Sequence, residues 1–358
     1  MTMIKKLSML ALIVCGTLLV NMKSALADII NIKTDAPQTY VVKKGDTLWD
    51  ISNLFLDQPW LWPELWRNNT QIENPHLIYP GDELRLRYID GEPVIELVRD
   101  KTSISLTPDS STKVKPSPIG VLPWKVLSPY IRNDRIMSAM AYNKLPHLLG
   151  DNDGVTAYVE KDFVLSHRLP DENAEYEIVR KEKALMDLNG ELIGFQVRNV
   201  GRVEVMAGGG EQQIVRLVKS NSEARRGDKL SPIEEFDTSD LVLSAATDQV
   251  GVLIANIEER RLIGKRDVVV INLGSDEVSP GMVMGVYKQG PVIIDGEQPK
   301  YEVSRSKLKE LLDLEERIEQ PAFKIGELVV FKTFDNASYA WVTKSNKHMM
   351  GGEFVGKP

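Results

Sequence analysis

The clearest pattern of apolar and polar positions runs from Tyr40 to Leu86. An apolar run, Tyr40-Val41-Val42, reads as a strand and ends at a Gly45-Asp46 turn. Thr47 fits a helix N-cap, with Asp50 three residues on as its short capping partner. Leu48, Ile51, Leu54 and Phe55 recur at helical spacing and predict one buried face. Pro63 suits the first turn of a second helix, where its missing N–H costs nothing. Trp62, Leu65 and Trp66 supply that helix's apolar stripe. Pro80-Gly81 turns the chain into a last strand, with Leu84 and Leu86 pointing one way. The order is strand, helix, helix, strand over residues 38–88. A hairpin around Asp90-Gly91 follows, with Leu86, Tyr88, Val94 and Ile95 on its arms.

Residues 105–118 are rich in Pro, Ser and Thr and poor in apolar side chains, so they read as a linker that lets the first unit move. Beyond it, short β-branched runs alternate with turn signals such as Asp187-Leu188-Asn189-Gly190 and Gly208-Gly209-Gly210. An internal repeat lies beneath these runs. Gly201 to Val205, Lys219-Ser220-Asn221 and Gly227 to Leu230 align without a gap on Gly326 to Val330, Lys344-Ser345-Asn346 and Gly352 to Val355. Val268 to Gly274 with Pro280 to Val283 repeats the second half: strand, Asn turn, loop, Gly, strand. The glycines suit turns that need positive φ. These units predict small barrels or sandwiches in a β-rich middle domain, 119–232, and a β-rich C-terminal domain, 240–358. One helix is expected from Arg305 to Glu319, with Leu308, Leu311, Leu312 and Ile318 on its apolar stripe and Pro321 ending it. The expected class is therefore α+β and multidomain: a small βααβ unit, a linker, then a mostly β region of barrel or sandwich type with one added helix.

At the N-terminus, Lys5 and Lys6 precede an apolar run from Leu7 to Val20, and Ala25-Leu26-Ala27 fits a small-x-small cleavage pattern. Residues 1–27 read as a signal peptide cut after Ala27, and so predict export to the periplasm. The run is short for a spanning anchor. Cys15 is the sole cysteine, so the mature chain has no disulfide and no thiol chemistry. Removing the leader's three lysines takes the net charge from −7 to −10, which argues against nucleic acid as a partner. The 358 residues suffice for two or three domains with their own cores.

Few residues of the chain point to chemistry. His76, His147, His167 and His348 are not spaced as metal-ligand pairs, and no nucleophile elbow or phosphate-cradling Gly loop with Lys occurs. No catalytic residue, metal or cofactor is expected. Acidic pairs such as Glu258-Glu259 and Glu315-Glu316 sit among Arg and Lys and read as solvated faces; a carboxylate pair assembled in space stays open.

Val42-Lys43-Lys44-Gly45-Asp46-Thr47-Leu48-Trp49, paired with Asn74-Pro75-His76-Leu77-Ile78-Tyr79-Pro80-Gly81, resembles a LysM module. The resemblance implies binding of N-acetylglucosamine polymers such as peptidoglycan in a shallow groove. Gly45, Asp46, Thr47 and Leu48 would form one wall and Ile78, Tyr79 and Pro80 the other, with Asn74 joining the set. Backbone amides there would bond N-acetyl groups. Each such bond adds only about 0.5–1.5 kcal/mol net, so the repeating polymer would supply avidity. Trp49, Trp60, Trp62 and Trp66 exceed what a minimal module needs; Trp66 reads as core, while Trp60 and Trp62 are open between core and a partner-facing patch.

Leu61 to Trp66, Pro146-His147-Leu148-Leu149-Gly150, Asp267 to Asn272 with Pro280-Gly281, and Val330 to Asp335 are together similar to LysM-containing proteins associated with the type IV pilus secretin. The last part also resembles the C-terminal domain of flagellar assembly protein T. That resemblance implies a non-enzymatic periplasmic anchor between peptidoglycan and an outer-membrane secretin, with a ring-like homo-oligomer around the secretin as one arrangement. A LysM-targeted wall-remodelling enzyme and a flagellar basal-body component are the alternatives.

Overall fold

The computed structural model describes residues 30–67, 78–98, 119–132, 134–170, 175–234, 241–295, 298–301 and 317–358. The expected leader, Asn74, the linker 105–118 and most of the expected Arg305–Glu319 helix lie outside these residues.

The N-terminal unit is β1 (Thr39–Val41), α1 (Leu48–Phe55), a 3-10 turn (Pro59–Leu61), α2 (Trp62–Trp66), β2 (Glu83–Ile89) and β3 (Glu92–Val98), with antiparallel sheet order β1-β2-β3. The Thr47 hydroxyl accepts the Asp50 N–H at 3.1 Å and donates to the Asp50 carboxylate at 2.7 Å, so the cap forms as read. One helical position departs from expectation. Leu54 is exposed, while Ser52 is buried with its hydroxyl donating to the Leu48 carbonyl. Trp49 takes up the rest of the buried face. Asp90 and Gly91 both have positive φ, the geometry of a tight two-residue hairpin turn. That hairpin carries β3 onto the sheet, extending the unit past residue 88.

The middle region contains α3 (Trp124–Arg132), β4 (Asp134–Met137), α4 (Ala139–Lys144), β5 (Leu148–Gly150), β6 (Ala157–Tyr158), β7 (Phe163–His167), β8 (Glu175–Met186), β9 (Leu192–Gly209), β10 (Gln212–Ser220), β11 (Ala224–Arg225) and β12 (Lys229–Pro232). Its main sheet runs β12-β8-β9-β10-β7-β5, with β4 on β9. A bridge between His147 and Lys229 joins the two ends, reinforced by the Leu148 N–H to Asp228 carbonyl bond at 2.9 Å. The sheet therefore curls into a six-stranded barrel.

The C-terminal region holds β13 (Ser244–Ala245), β14 (Gly251–Asn256), β15 (Val268–Ile271), β16 (Met282–Gln289), β17 (Ile293–Ile294), β18 (Lys300–Tyr301), β19 (Arg317–Ile318), β20 (Ala322–Thr333), β21 (Ser338–Ser345) and β22 (Phe354–Gly356). Here β22-β16-β20-β21-β15-β14 close on themselves, because β22 pairs with both β16 and β14. Arg317 and Ile318 pair as a strand with β17, so the expected helix does not reach Glu319.

The two barrels are the same device used twice. β12, β8, β9, β10, β7 and β5 occupy the places of β22, β16, β20, β21, β15 and β14, pairing for pairing. The repeat read from the sequence supplies the details. Gly201 and Gly326 sit where a Cβ would collide with the carbonyls of Lys219 and Lys344. The N–H groups of Asn221 and Asn346 donate to Val200 and Ile325, both at 2.8 Å, and that of Asn272 to Val252 at 3.1 Å. Gly227, Gly281 and Gly352 all take positive φ. Barrel geometry thus replaces the barrel-or-sandwich alternative.

The C-terminal barrel is buried on both faces. Val269, Ile271, Leu328, Val330, Ala340 and Val342 fill its interior. Val268, Val270, Val329, Phe331, Tyr339 and Trp341 point outward into a second core, continuous with Trp60, Leu61, Leu65 and Trp66 of the N-terminal unit and Leu127 of α3. Burial on both faces explains the unbroken Val268-Val269-Val270-Ile271 run, where a half-exposed strand would alternate. The N-terminal unit is thus docked on the barrel and does not hang free of it. Trp60 lies in the contact, with the Lys324 ammonium 5.9 Å from its ring centre.

Candidate glycan-binding site

Among the described residues, residues 45–48 and 78–80, expected to wall the groove, are bridged by residues 119–121 of the same chain. Gly45 has φ of 101° and sits exposed at the tip of the first loop. The Asp46 carboxylate accepts from the Lys43 N–H and from the Tyr40 hydroxyl, both at 2.8 Å. It is therefore a loop staple. Burial and the Asp46 bond push the Tyr40 phenol up to about 12. The Thr47 side chain is committed to its cap. These contacts fix the entry of α1, whose first-turn N–H groups have no partner within the helix.

The first two of those donors are spent on residues 120 and 121. The Leu48 N–H donates to the Gly120 carbonyl at 2.9 Å and the Trp49 N–H to the Val121 carbonyl at 3.1 Å. Across the groove the Ile119 N–H donates to the Ile78 carbonyl at 2.8 Å. A short strap, bent at Val121 and Leu122, thus bonds both loops at once. Ile119, Val121 and Leu122 are buried in the core shared with Leu48 and Ile78. Trp124 covers the strap so closely that a Cβ on Gly120 would stand 2.7 Å from its ring, so only glycine fits there. Each bond contributes about 0.5–1.5 kcal/mol net, with apolar burial added to it.

Of the expected site residues, Leu48 and Ile78 face the groove through their backbones, Thr47 is buried beside them, and Tyr79 and Pro80 are half-buried on the second loop. Gly45 and Asp46 shape the first loop. Asn74 lies outside the described residues. The sequence reading missed Trp49, which acts through its N–H, and the strap itself. The one signal was the short apolar run Ile119-Gly120-Val121-Leu122 directly after Pro116-Ser117-Pro118. The tryptophans form no open stacking platform: Trp62 and Trp66 stack on each other with ring centres 5.5 Å apart, and Trp60 is buried against the barrel.

A second feature is a polar cleft of about 880 Å³ between α3, the middle barrel and the end of β20. Arg135 is buried there, with Glu234 at 3.4 Å and Glu177 at 3.6 Å. The Lys332 ammonium donates to the carbonyls of Ile131 (2.7 Å) and Asp134 (3.1 Å), tying β20 to the end of α3. Burial pushes the Asp134 carboxyl up to about 6 and, with Arg135 nearby, draws Lys332 down to about 8. Among the described residues no group of three or more His, Cys, Asp or Glu side chains is placed to hold a metal. No described helix is long and apolar enough to cross a membrane.

Comparison with known proteins agrees with the geometry of the first unit. Residues 40–87 match the LysM domain family. A stretch of 61 residues is 39% identical to the uncharacterized protein YqbP of Bacillus subtilis (strain 168), covering 14% of this chain and 28% of that protein. The chain therefore carries a LysM domain near its N-terminus, a type of domain that binds N-acetylglucosamine-containing glycans of the peptidoglycan and chitin kind. Two β-barrels make up the rest of its described core.

Proposed function

We propose that the protein is a non-enzymatic periplasmic anchor, holding peptidoglycan through its LysM domain and the outer-membrane secretin of a type IV pilus through its barrels. The observation that carries this reading is the joint core of the LysM domain and the C-terminal barrel: a glycan-binding domain is packed onto a closed barrel through buried apolar side chains, a contact through which load could pass. The leader-like N-terminus supports export. The resemblance of Pro146 to Gly150 and of Val330 to Asp335 to secretin-associated proteins supports the partner, and a ring of copies around a secretin would multiply weak glycan contacts. Two measurements on the mature chain test the reading together: co-sedimentation with purified sacculi, and copurification with a secretin. Absence of either overturns it.

One observation favours a second reading, a wall-remodelling enzyme. The cleft holds two carboxyls, Asp134 and Glu177, that burial pushes up, the kind of tuning a general acid needs. Muropeptide release from sacculi by the mature chain, abolished in Asp134→Asn, would establish it. The anchor reading expects no release.

A further inference from the structure

We propose that the strap Ile119–Leu122 is an internal competitor for the LysM groove, so that a bound glycan and a docked strap exclude each other. The proposal rests on the glycan-binding reading and adds regulation to it.

The strap presents the chemistry of the ligand. An N-acetyl group offers one amide carbonyl, one amide N–H and a methyl. The strap offers the Gly120 and Val121 carbonyls to the N–H groups of Leu48 and Trp49, and the Ile119 N–H to the Ile78 carbonyl. Its apolar side chains fill the core that lines the groove. A glycan whose N-acetyl groups bond these loops would draw on the same N–H groups and carbonyl, and none of these can serve both partners at once.

The chain also permits release. The strap is followed at once by α3, which packs on the barrel side, and is joined to β3 by the 20 residues between Val98 and Ile119. Twenty residues reach at most roughly 70 Å when extended. The strap can therefore leave without unfolding the LysM domain. An intramolecular competitor acts at high effective concentration, so a short oligosaccharide meets a largely closed groove. A polymer engaged by several copies adds avidity, which favours opening. The device would bias the protein towards assembled wall over free fragments.

The test is a sacculus titration of the full mature chain against the double substitution Ile119→Asp/Val121→Asp, which puts charge where the strap is buried. Val126→Asp, at an exposed position on α3, is the control. The strap variant is expected to half-saturate at an about tenfold lower protein concentration than the wild type and the control. Equal half-saturation of a folded variant overturns the competition alone. Pelleting of neither chain overturns the glycan reading and the competition with it. Hydrogen exchange on the unaltered chain guards against misfolding: with saturating chitooligosaccharide the peptide covering 119–122 should lose protection. Retained protection with the sugar bound overturns the proposal.

Discussion

The backbone N–H of Leu48 donates to the carbonyl of Gly120 at 2.9 Å, from the first turn of the LysM helix to a segment on the far side of the expected linker. That bond, with those of Trp49 and Ile119, makes an internal junction of the place where the glycan-binding groove is expected. Among the described residues, the strap and the core around Trp60, Leu61, Leu65 and Trp66 both hold the LysM domain to the barrels.

The Trp60 contact has a measurable consequence. Trp60→Ala removes a large buried side chain from the core joining LysM domain and barrel, and should destabilise the chain by about 3 kcal/mol. Because the loss falls at the junction, calorimetry should resolve a separate, earlier LysM transition. A single transition at the wild-type temperature would contradict the docking.

The helix cap gives a smaller and cleaner effect. Thr47→Ala removes the hydroxyl that accepts the Asp50 N–H, and should cost about 1 kcal/mol in urea denaturation. Thr47→Ser should recover most of the loss. Equal losses for Ala and Ser would point to the methyl group's burial as the cause.

Gly201→Ala and Gly326→Ala test the duplicated barrel. Each would drive a Cβ into a lysine carbonyl on the neighbouring strand, and at Gly326 into the flexible end of the Met349 side chain as well. Overpacking of this kind costs roughly 1–3 kcal/mol, and the two variants should fall within about 1 kcal/mol of each other. A neutral change at one site and a large one at the other would mean that the barrels are not equivalent there.

Asp134 predicts a pH dependence. Its carboxyl is raised by burial to about 6, so its protonated form favours the folded state. That contribution is fully present below the ordinary carboxyl value of 3.8 and is lost as pH rises through about 6. Asp134→Asn stays neutral throughout. The stability of Asn relative to Asp should therefore be higher at pH 7 than at pH 4, by about 1 kcal/mol after discounting for partial exposure. Urea midpoints of both chains at the two pH values check it, and a difference of opposite sign would refute the burial argument.

What could be read from the sequence was local. Thr47 with Asp50, Asp90-Gly91, and the glycines at 227, 281 and 352 each encode a conformation within a few residues, and all were legible. The repeat was legible because the two barrels place the same turn residues at the same spacing. Non-local features were hidden. Barrel closure depends on pairings such as His147 with Lys229 and Val286 with Val355, which no periodicity reveals. Leu54 fitted the helical spacing, yet it faces solvent while Trp49 and Ser52 complete the buried face. Trp60 stayed open between core and a partner-facing patch because its partner is a strand more than 250 residues away in the sequence. The strap escaped because four residues carry no period, and its recognition is by backbone atoms that any residue possesses.

Bridging is the most direct test of the central claim. Purified sacculi are mixed with detergent-solubilised secretin, with and without the full mature chain, and the pellet is assayed for secretin. The account predicts secretin in the pellet only when the chain is present, and more of it with the strap variant Ile119→Asp/Val121→Asp. A pellet that contains the chain but no secretin would contradict it.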